Sequence, residues 1–153
     1  CFFAMEKLGI PVKDALKEFR VSRRSYSEGS QEHRTPKFFC PGSILTMDFN
    51  AKNPVAYGMP DKAPGMFYGA TAFDIMSSFD EKGPATIAKY KGGNLLLSGY
   101  LVGEKYLQNK AAAVDVPLGN GRVILLGFAV QNRAQTHGTF KLLFNSLYYG
   151  ATK

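Results

Sequence analysis

Residues 131–140, QNRAQTHGTF, bring together one of the two histidines of the chain, an arginine, amides and hydroxyls. Side chains of these types can bind an anion or a sugar, and a histidine can act as a general base when a nucleophile lies within hydrogen-bond reach. No nucleophile elbow of the form GxSxG or GxCxG occurs in the sequence. We therefore interpret Arg133, Gln135, Thr136 and His137 as candidate binding or interface residues and assign no catalytic residue.

Zinc hydrolysis needs about three protein ligands at suitable spacing. His33 and His137 have no HxxE or HExxH pairing, and no CxxC occurs, so we expect neither a metal nor another cofactor in this chain. Cys40 precedes Pro41, which prevents the helix that a nucleophile elbow requires there, and a structural role is expected for this thiol. A triad of Cys40, His137 and an acid stays open on spacing alone, as does a bridge between Cys1 and Cys40.

Charge and glycine patterns narrow the range of partners. The net charge of +7, from 19 basic and 12 acidic residues, permits an anionic partner, and much of it lies in residues 20–37. We interpret that segment as a solvated basic loop, and a nucleic-acid or membrane patch as the less favoured alternative. GNGR and KGGN lie in turns between strands, so no phosphate cradle is predicted. Nucleic acid is not expected as a partner, and no apolar run reaches the roughly 18 residues of a membrane span.

Hydrophobic periodicity predicts the helices and strands that hold residues 133–139, called here the polar block. Apolar residues at positions 140, 143, 144 and 147 predict an amphipathic helix over 136–149, with Thr136 as its N-cap, accepting from the N–H of Thr139. GNG predicts a hairpin. Runs 95–97 and 121–128 predict strands buried on both faces. Helices are also predicted at 2–9, 12–19 and 102–110, and strands at 43–49, 85–90, 94–100, 111–118 and 121–128. The strand at 43–49 is expected to alternate, with one face formed by Leu45, Met47 and Phe49 and the other by Ile44, Thr46 and Asp48.

At 153 residues the chain suits one domain. Because helices precede, interrupt and follow the strands, the order predicts a layered α/β domain. We expect helices on both faces of the sheet and an antiparallel hairpin near the C-terminus.

The run GNGRVILLGFAVQNRAQTHGTFKLLFNSLY, residues 119–148, resembles the end of bacterial zinc carboxypeptidases of the carboxypeptidase A-like family. Three further stretches are similar to the same tail and occur in the same order: LGIPVKDALK, FFCPGSILTMDFNAKNPVAYGMP and LLLSGYLVGEKYL. The resemblance covers nearly the whole chain, and AQTHGTFKLLFN is its most specific block.

The resemblance implies an N-terminal peptidase domain that holds zinc through an HxxE pair and a later histidine, none of which matches this chain. It also implies a class I glutamine amidotransferase-like, flavodoxin-like domain that is incomplete at its N-terminus, with the nucleophile elbow upstream of Cys1. His137 lies where that fold would have its catalytic histidine, but it lacks the HPE context, so no catalytic role is carried over to it.

We therefore expect a non-catalytic accessory C-terminal domain of an exported zinc carboxypeptidase-like protein. Its expected partner is the peptidase domain of the same polypeptide, which would hold the zinc, and a homo-oligomer stays open. The alternative is a stand-alone binding module for an anionic or sugar ligand, supported by the net charge and the polar block at 133–139. A degenerate amidotransferase-type hydrolase that uses Cys40 or an upstream nucleophile is less favoured.

Overall fold

The computed structural model describes residues 1–19, 37–76 and 83–151. Within these ranges there are two α-helices, α1 (Phe2–Lys7) and α2 (Phe140–Ala151), and three short 3-10 turns at Pro54–Ala56, Glu104–Tyr106 and His137–Thr139. The eight strands in the same ranges are β1 (Val12–Asp14), β2 (Ser43–Phe49), β3 (Lys62–Phe67), β4 (Phe73–Ile75), β5 (Ala85–Tyr90), β6 (Leu96–Gly99), β7 (Ala111–Leu118) and β8 (Gly121–Leu126).

The strands form one sheet in the order β1-β4-β7-β5-β2-β3, with β6 added to β2 and β8 added to β7. Every named pair is antiparallel. Antiparallel strands can be joined by short turns without a helical crossover, so this sheet forms with few helices. The α/β class is confirmed in this coarser form. Neither helices on both faces nor a flavodoxin-like arrangement is shown by the part of the chain that the structure describes.

Strand β2 occupies the centre of the main core, and its predicted alternation is confirmed. Leu45 and Met47 are fully buried, whereas Ile44 between β3 and β6 is 40% exposed. The core around β2 includes Ile87 and Leu142 among its buried residues. A smaller buried cluster, centred on β4 and β7, is packed against α1.

The GNG turn produces the predicted hairpin. Leu118 pairs with Gly121, and Gly119 takes the left-handed φ of +56° that the turn requires. The prediction that the strand over 121–128 is buried on both faces is wrong, because β8 pairs with β7 alone among the described strands and its first two residues are exposed.

Residues 12–19 form β1 and a turn, so the helix predicted there is wrong. Val12 pairs with Ile75 of β4, and the backbone N–H of Ala15 donates to the carbonyl oxygen of Ala72 at 2.9 Å. A carboxylate oxygen of Asp14 accepts from the N–H of Leu16 at 2.9 Å, which closes a turn in place of a helical bond. Strand pairing with β4, which is distant in the sequence, thus overrides the local helical pattern.

Two other predictions differ from the structure around β6. Leu95 is buried, but Leu96 and Leu97 are 38% and 58% exposed, since β6 pairs only with β2 among the described strands. Residues 102–110 form only the 3-10 turn Glu104–Tyr106 instead of a helix. Of the predicted basic loop, residues 20–36 lie outside the described residues. No described helix has the length and apolarity needed to cross a membrane.

The C-terminal helix is confirmed, but the apolar stripe of its amphipathic pattern is not the face that is most buried. Leu142 is the buried residue of α2, whereas Phe144 and Leu147 are 53% and 64% exposed. The apolar stripe that the sequence indicates therefore lies largely on the outer surface of the described chain.

Candidate functional site

Three segments that are far apart in the sequence meet at one cleft of about 470 Å³. They are the start of β2, the end of β6 and residues 132–139, and the middle of β3 completes the lining. The short runs FFCPGS, LLLSGY and AQTHGT each contribute residues to this cleft. The fold therefore brings three distant stretches of the sequence together in one place.

Ser43 and the β6 end form one wall at very close range. The Ser43 hydroxyl donates to the carbonyl oxygen of Tyr100 at 2.8 Å and accepts from the Tyr100 N–H at 3.0 Å. Gly99, which precedes Tyr100, has a φ of +101°, and a Cβ at this position would lie 2.6 Å from the Ser43 hydroxyl oxygen. Only glycine satisfies both the backbone conformation and the approach of the two strands.

Thr136 and Thr139 hold the opposite wall. The Thr136 hydroxyl donates to the carbonyl oxygen of Val130 at 2.9 Å and accepts from the Asn132 N–H at 3.1 Å. The Thr139 hydroxyl donates to the same Val130 oxygen at 2.8 Å. The predicted capping bond is wrong. The Thr139 N–H donates to the Thr136 carbonyl oxygen at 3.0 Å, and the Thr136 hydroxyl bonds instead to the backbone of Val130 and Asn132.

The loop between Val130 and Thr136 has a strained backbone. Arg133 and Ala134 both have left-handed φ angles, +51° and +54°. Such angles are uncommon for residues other than glycine and persist only where the surrounding contacts impose them. The threonine bonds to Val130 supply that constraint, so the polar block presents its side chains from a fixed loop.

The structure brings three of the four candidate residues to the cleft. Gln135, Thr136 and His137 line it, whereas Arg133 lies in the same loop as an exposed residue beside it. Nε2 of His137 lies 2.5 Å from the carbonyl oxygen of Ala134, to which it donates when it carries the ring proton. The arrangement can offer amide, hydroxyl and imidazole groups to a small polar ligand.

Cys40 lies near this wall, in surroundings that disfavour the thiolate form. Burial raises the pKa of the Cys40 thiol, and a hydrogen bond with Ser43 lowers it by less. A raised pKa leaves less of the reactive thiolate at neutral pH. Cys1 and Cys40 are both free thiols. In residues 1–19, 37–76 and 83–151, no group of three His, Cys, Asp or Glu side chains could hold a metal ion.

Sequence reasoning found the polar block but missed its partners in the cleft. Ser43, Gly65 and Gly99 line the cleft from three strands, and their part in it depends on strand pairing. The signal was present only indirectly, as the glycines inside strand-like runs, which indicate close backbone approach.

Comparisons of the chain with family models, with curated proteins and with solved structures found no match.

Proposed function

We propose that this chain is a non-catalytic accessory domain of a zinc carboxypeptidase-like protein, and that it packs on the peptidase domain of the same polypeptide through the outer face of α2. One observation carries the proposal. Phe144 and Leu147, inside the run that bears the family resemblance, are 53% and 64% exposed.

The outer face of α2 comprises positions 140, 144, 147 and 151, which follow one another at i, i+4, i+7 and i+11 along one side of the helix. Leu142 points to the core on the opposite side. A third side is anchored to the loop after Pro54–Ala56, because the Lys141 ammonium donates to the Gly58 carbonyl oxygen at 2.9 Å. Helix α2 is thus fixed by the core and by this loop, and its outer face presents apolar side chains.

Packing this face against a second surface would be favourable. Burial of a large apolar side chain contributes about 1.5–3 kcal/mol relative to leaving it exposed. A partner domain in the same polypeptide is present at an effective concentration of roughly millimolar for a short flexible linker, so a small apolar face suffices for docking. The zinc of the protein would belong to that peptidase domain, and export from the cell is proposed from the resemblance alone.

We propose a class I glutamine amidotransferase-like fold only for the complete domain, of which this chain would be a part. The parallel strands and covering helices of such a fold would have to come from residues other than the described ones. The antiparallel pairing of the eight described strands gives this part of the proposal less support than the docking face.

Hydroxyl-radical footprinting of the native, full-length polypeptide tests the docking. We expect Phe144 and Leu147 to be oxidised readily in the isolated 153-residue chain and to be protected in the full polypeptide. Tyr68, which is 59% exposed, serves as the control and should be oxidised in both samples. Equal oxidation of Phe144 and Leu147 in the two samples would contradict the proposal.

A second candidate function is the binding of a small anionic ligand in the cleft at residues 132–139. The convergence of three segments on that cleft favours it, and Arg133 and His137 are the basic side chains beside it. Titration with sulfate or citrate, followed by NMR, should give shifts in this loop that weaken with added salt. Arg133→Ala and His137→Ala should weaken binding, and the absence of any loss would count against this candidate.

A further inference from the structure

A second groove, of about 470 Å³, lies between the loop at residues 51–57 and the C-terminal half of α2. None of the candidate residues at the first cleft lines it. Its lining residues are Ala51, Lys52, Asn53, Pro54, Tyr57, Asn145, Tyr148 and Tyr149. This volume falls within the range of small-ligand sites in proteins.

Two tyrosines flank the groove with most of their surface in solvent. Tyr57 is 79% exposed and Tyr148 is 73% exposed, and these are the two largest exposed fractions among the large hydrophobic side chains of the described chain. An exposed aromatic ring offers a broad apolar face next to a hydroxyl group, a combination suited to ligands that are apolar on one side and polar at the edge.

The elements that carry the two tyrosines are fixed relative to each other. The side-chain amide nitrogen of Asn145 donates to the carbonyl oxygens of Val55 at 3.0 Å and Tyr57 at 2.9 Å. The loop is therefore tied to α2 directly beneath the groove. Such preorganisation lowers the entropy lost when a ligand binds.

Two lining residues, Asn53 and Tyr149, are held in place by further contacts. The side-chain oxygen of buried Asn53 accepts from the Val55 N–H at 2.9 Å. Asp115, 1% exposed, receives two hydrogen bonds of 2.8 Å from Arg122. The Arg122 guanidinium in turn lies 4.8 Å from the centre of the Tyr149 ring. This chain of contacts holds the third tyrosine of the groove in place.

We propose that the groove between Tyr57 and Tyr148 binds a neutral saccharide. The C–H face of a sugar ring is apolar and stacks on an aromatic ring, while its hydroxyls can bond to the tyrosine hydroxyls and to the ammonium of Lys52. Lys52 is the one charged lining residue among the described residues. A nucleic-acid strand would need several cations along its phosphates, so the lining favours a neutral ligand.

Titration of the isolated chain with cellotetraose, maltotetraose and the tetramer of N-acetylglucosamine, followed by NMR, tests the proposal. At least one of these should shift resonances of residues 51–57 and 145–149. Tyr57→Ala and Tyr148→Ala should each weaken that binding by about tenfold, as expected for loss of a stacked ring. Tyr68→Ala removes another exposed ring, 59% exposed and outside the groove, and should leave the binding unchanged.

The proposal is overturned if no saccharide shifts the groove, or if Tyr68→Ala weakens binding as much as the groove variants do. It is also overturned if a single-stranded oligonucleotide or an extended peptide binds with the same tyrosine dependence while the saccharides do not. Because the experiment uses this chain alone, its outcome is independent of whether α2 docks on a peptidase domain.

Discussion

Leu142 and Phe144 are separated by one residue in α2, yet Leu142 is completely buried and Phe144 is 53% exposed. The helix thus contributes one leucine to the core and presents a separate apolar stripe outward. A helix of an independent small domain usually buries its apolar stripe and exposes its polar face. The outward stripe is the observation on which the proposed docking of α2 on a peptidase domain rests.

Two leucines of α2, Leu142 and Leu147, should respond very differently to truncation. Leu142→Ala is expected to lower the free energy of unfolding by about 2–5 kcal/mol, because it opens a cavity in the core. Leu147→Ala should change it by less than about 0.5 kcal/mol in the isolated chain, since Leu147 is 64% exposed. Urea unfolding of both variants checks this, and equal losses would mean that α2 packs in another orientation.

Gly99 should be intolerant of any side chain. Gly99→Ala places a Cβ 2.6 Å from the Ser43 hydroxyl oxygen at a residue with φ of +101°, so we expect a loss of roughly 1–3 kcal/mol. Gly138→Ala is the matched control, because its added Cβ would meet nothing within 4 Å. Thermal unfolding should separate the two variants clearly. A Gly99→Ala protein as stable as the control would refute the close approach of β2 and β6.

Loss of Arg122 should leave a buried carboxylate without its cation. We expect Arg122→Ala to cost roughly 2–4 kcal/mol, the lower part of the range for buried pairs because the Arg122 side chain is 34% exposed. The Asp74–Lys110 pair has side chains 48% and 37% exposed, so Lys110→Ala should cost less than about 1 kcal/mol. Chemical denaturation measures both, and a smaller loss for Arg122→Ala than for Lys110→Ala would contradict the network.

Cys40 should react slowly with iodoacetamide at neutral pH. Burial raises the pKa of its thiol, so at a given pH less thiolate is present, and the alkylation rate should climb as the pH is raised toward that pKa. Cys1 is exposed and should be alkylated first. Mass spectrometry of timed samples assigns each site. Rapid labelling of Cys40 at pH 7 would revive a nucleophilic role for this thiol.

The sequence predicted those parts of the fold that are determined by residues close together in the sequence. The alternation of β2 and the turn at Gly119 follow from local side-chain chemistry, and both are present. The helix predicted at residues 12–19 failed because Val12 pairs with Ile75, far away in the sequence. The exposed side of α2 could not be predicted, because periodicity locates an apolar stripe without specifying which surface covers it.

The candidate site was likewise predictable only where its residues are neighbours in the sequence. The polar block at Gln135, Thr136 and His137 was visible as an unusual concentration of side chains, but the strands opposite it were not. The groove at Tyr57 and Tyr148 had no local signal, because the two tyrosines are 91 positions apart and meet through the contacts of Asn145.

The most direct test of the account is the intact mass of the protein in its native source, combined with peptide mapping upstream of Cys1. We predict a polypeptide much larger than these 153 residues, with an HxxE zinc motif in the upstream part. A native mass equal to that of the 153-residue chain would contradict the proposed accessory-domain function.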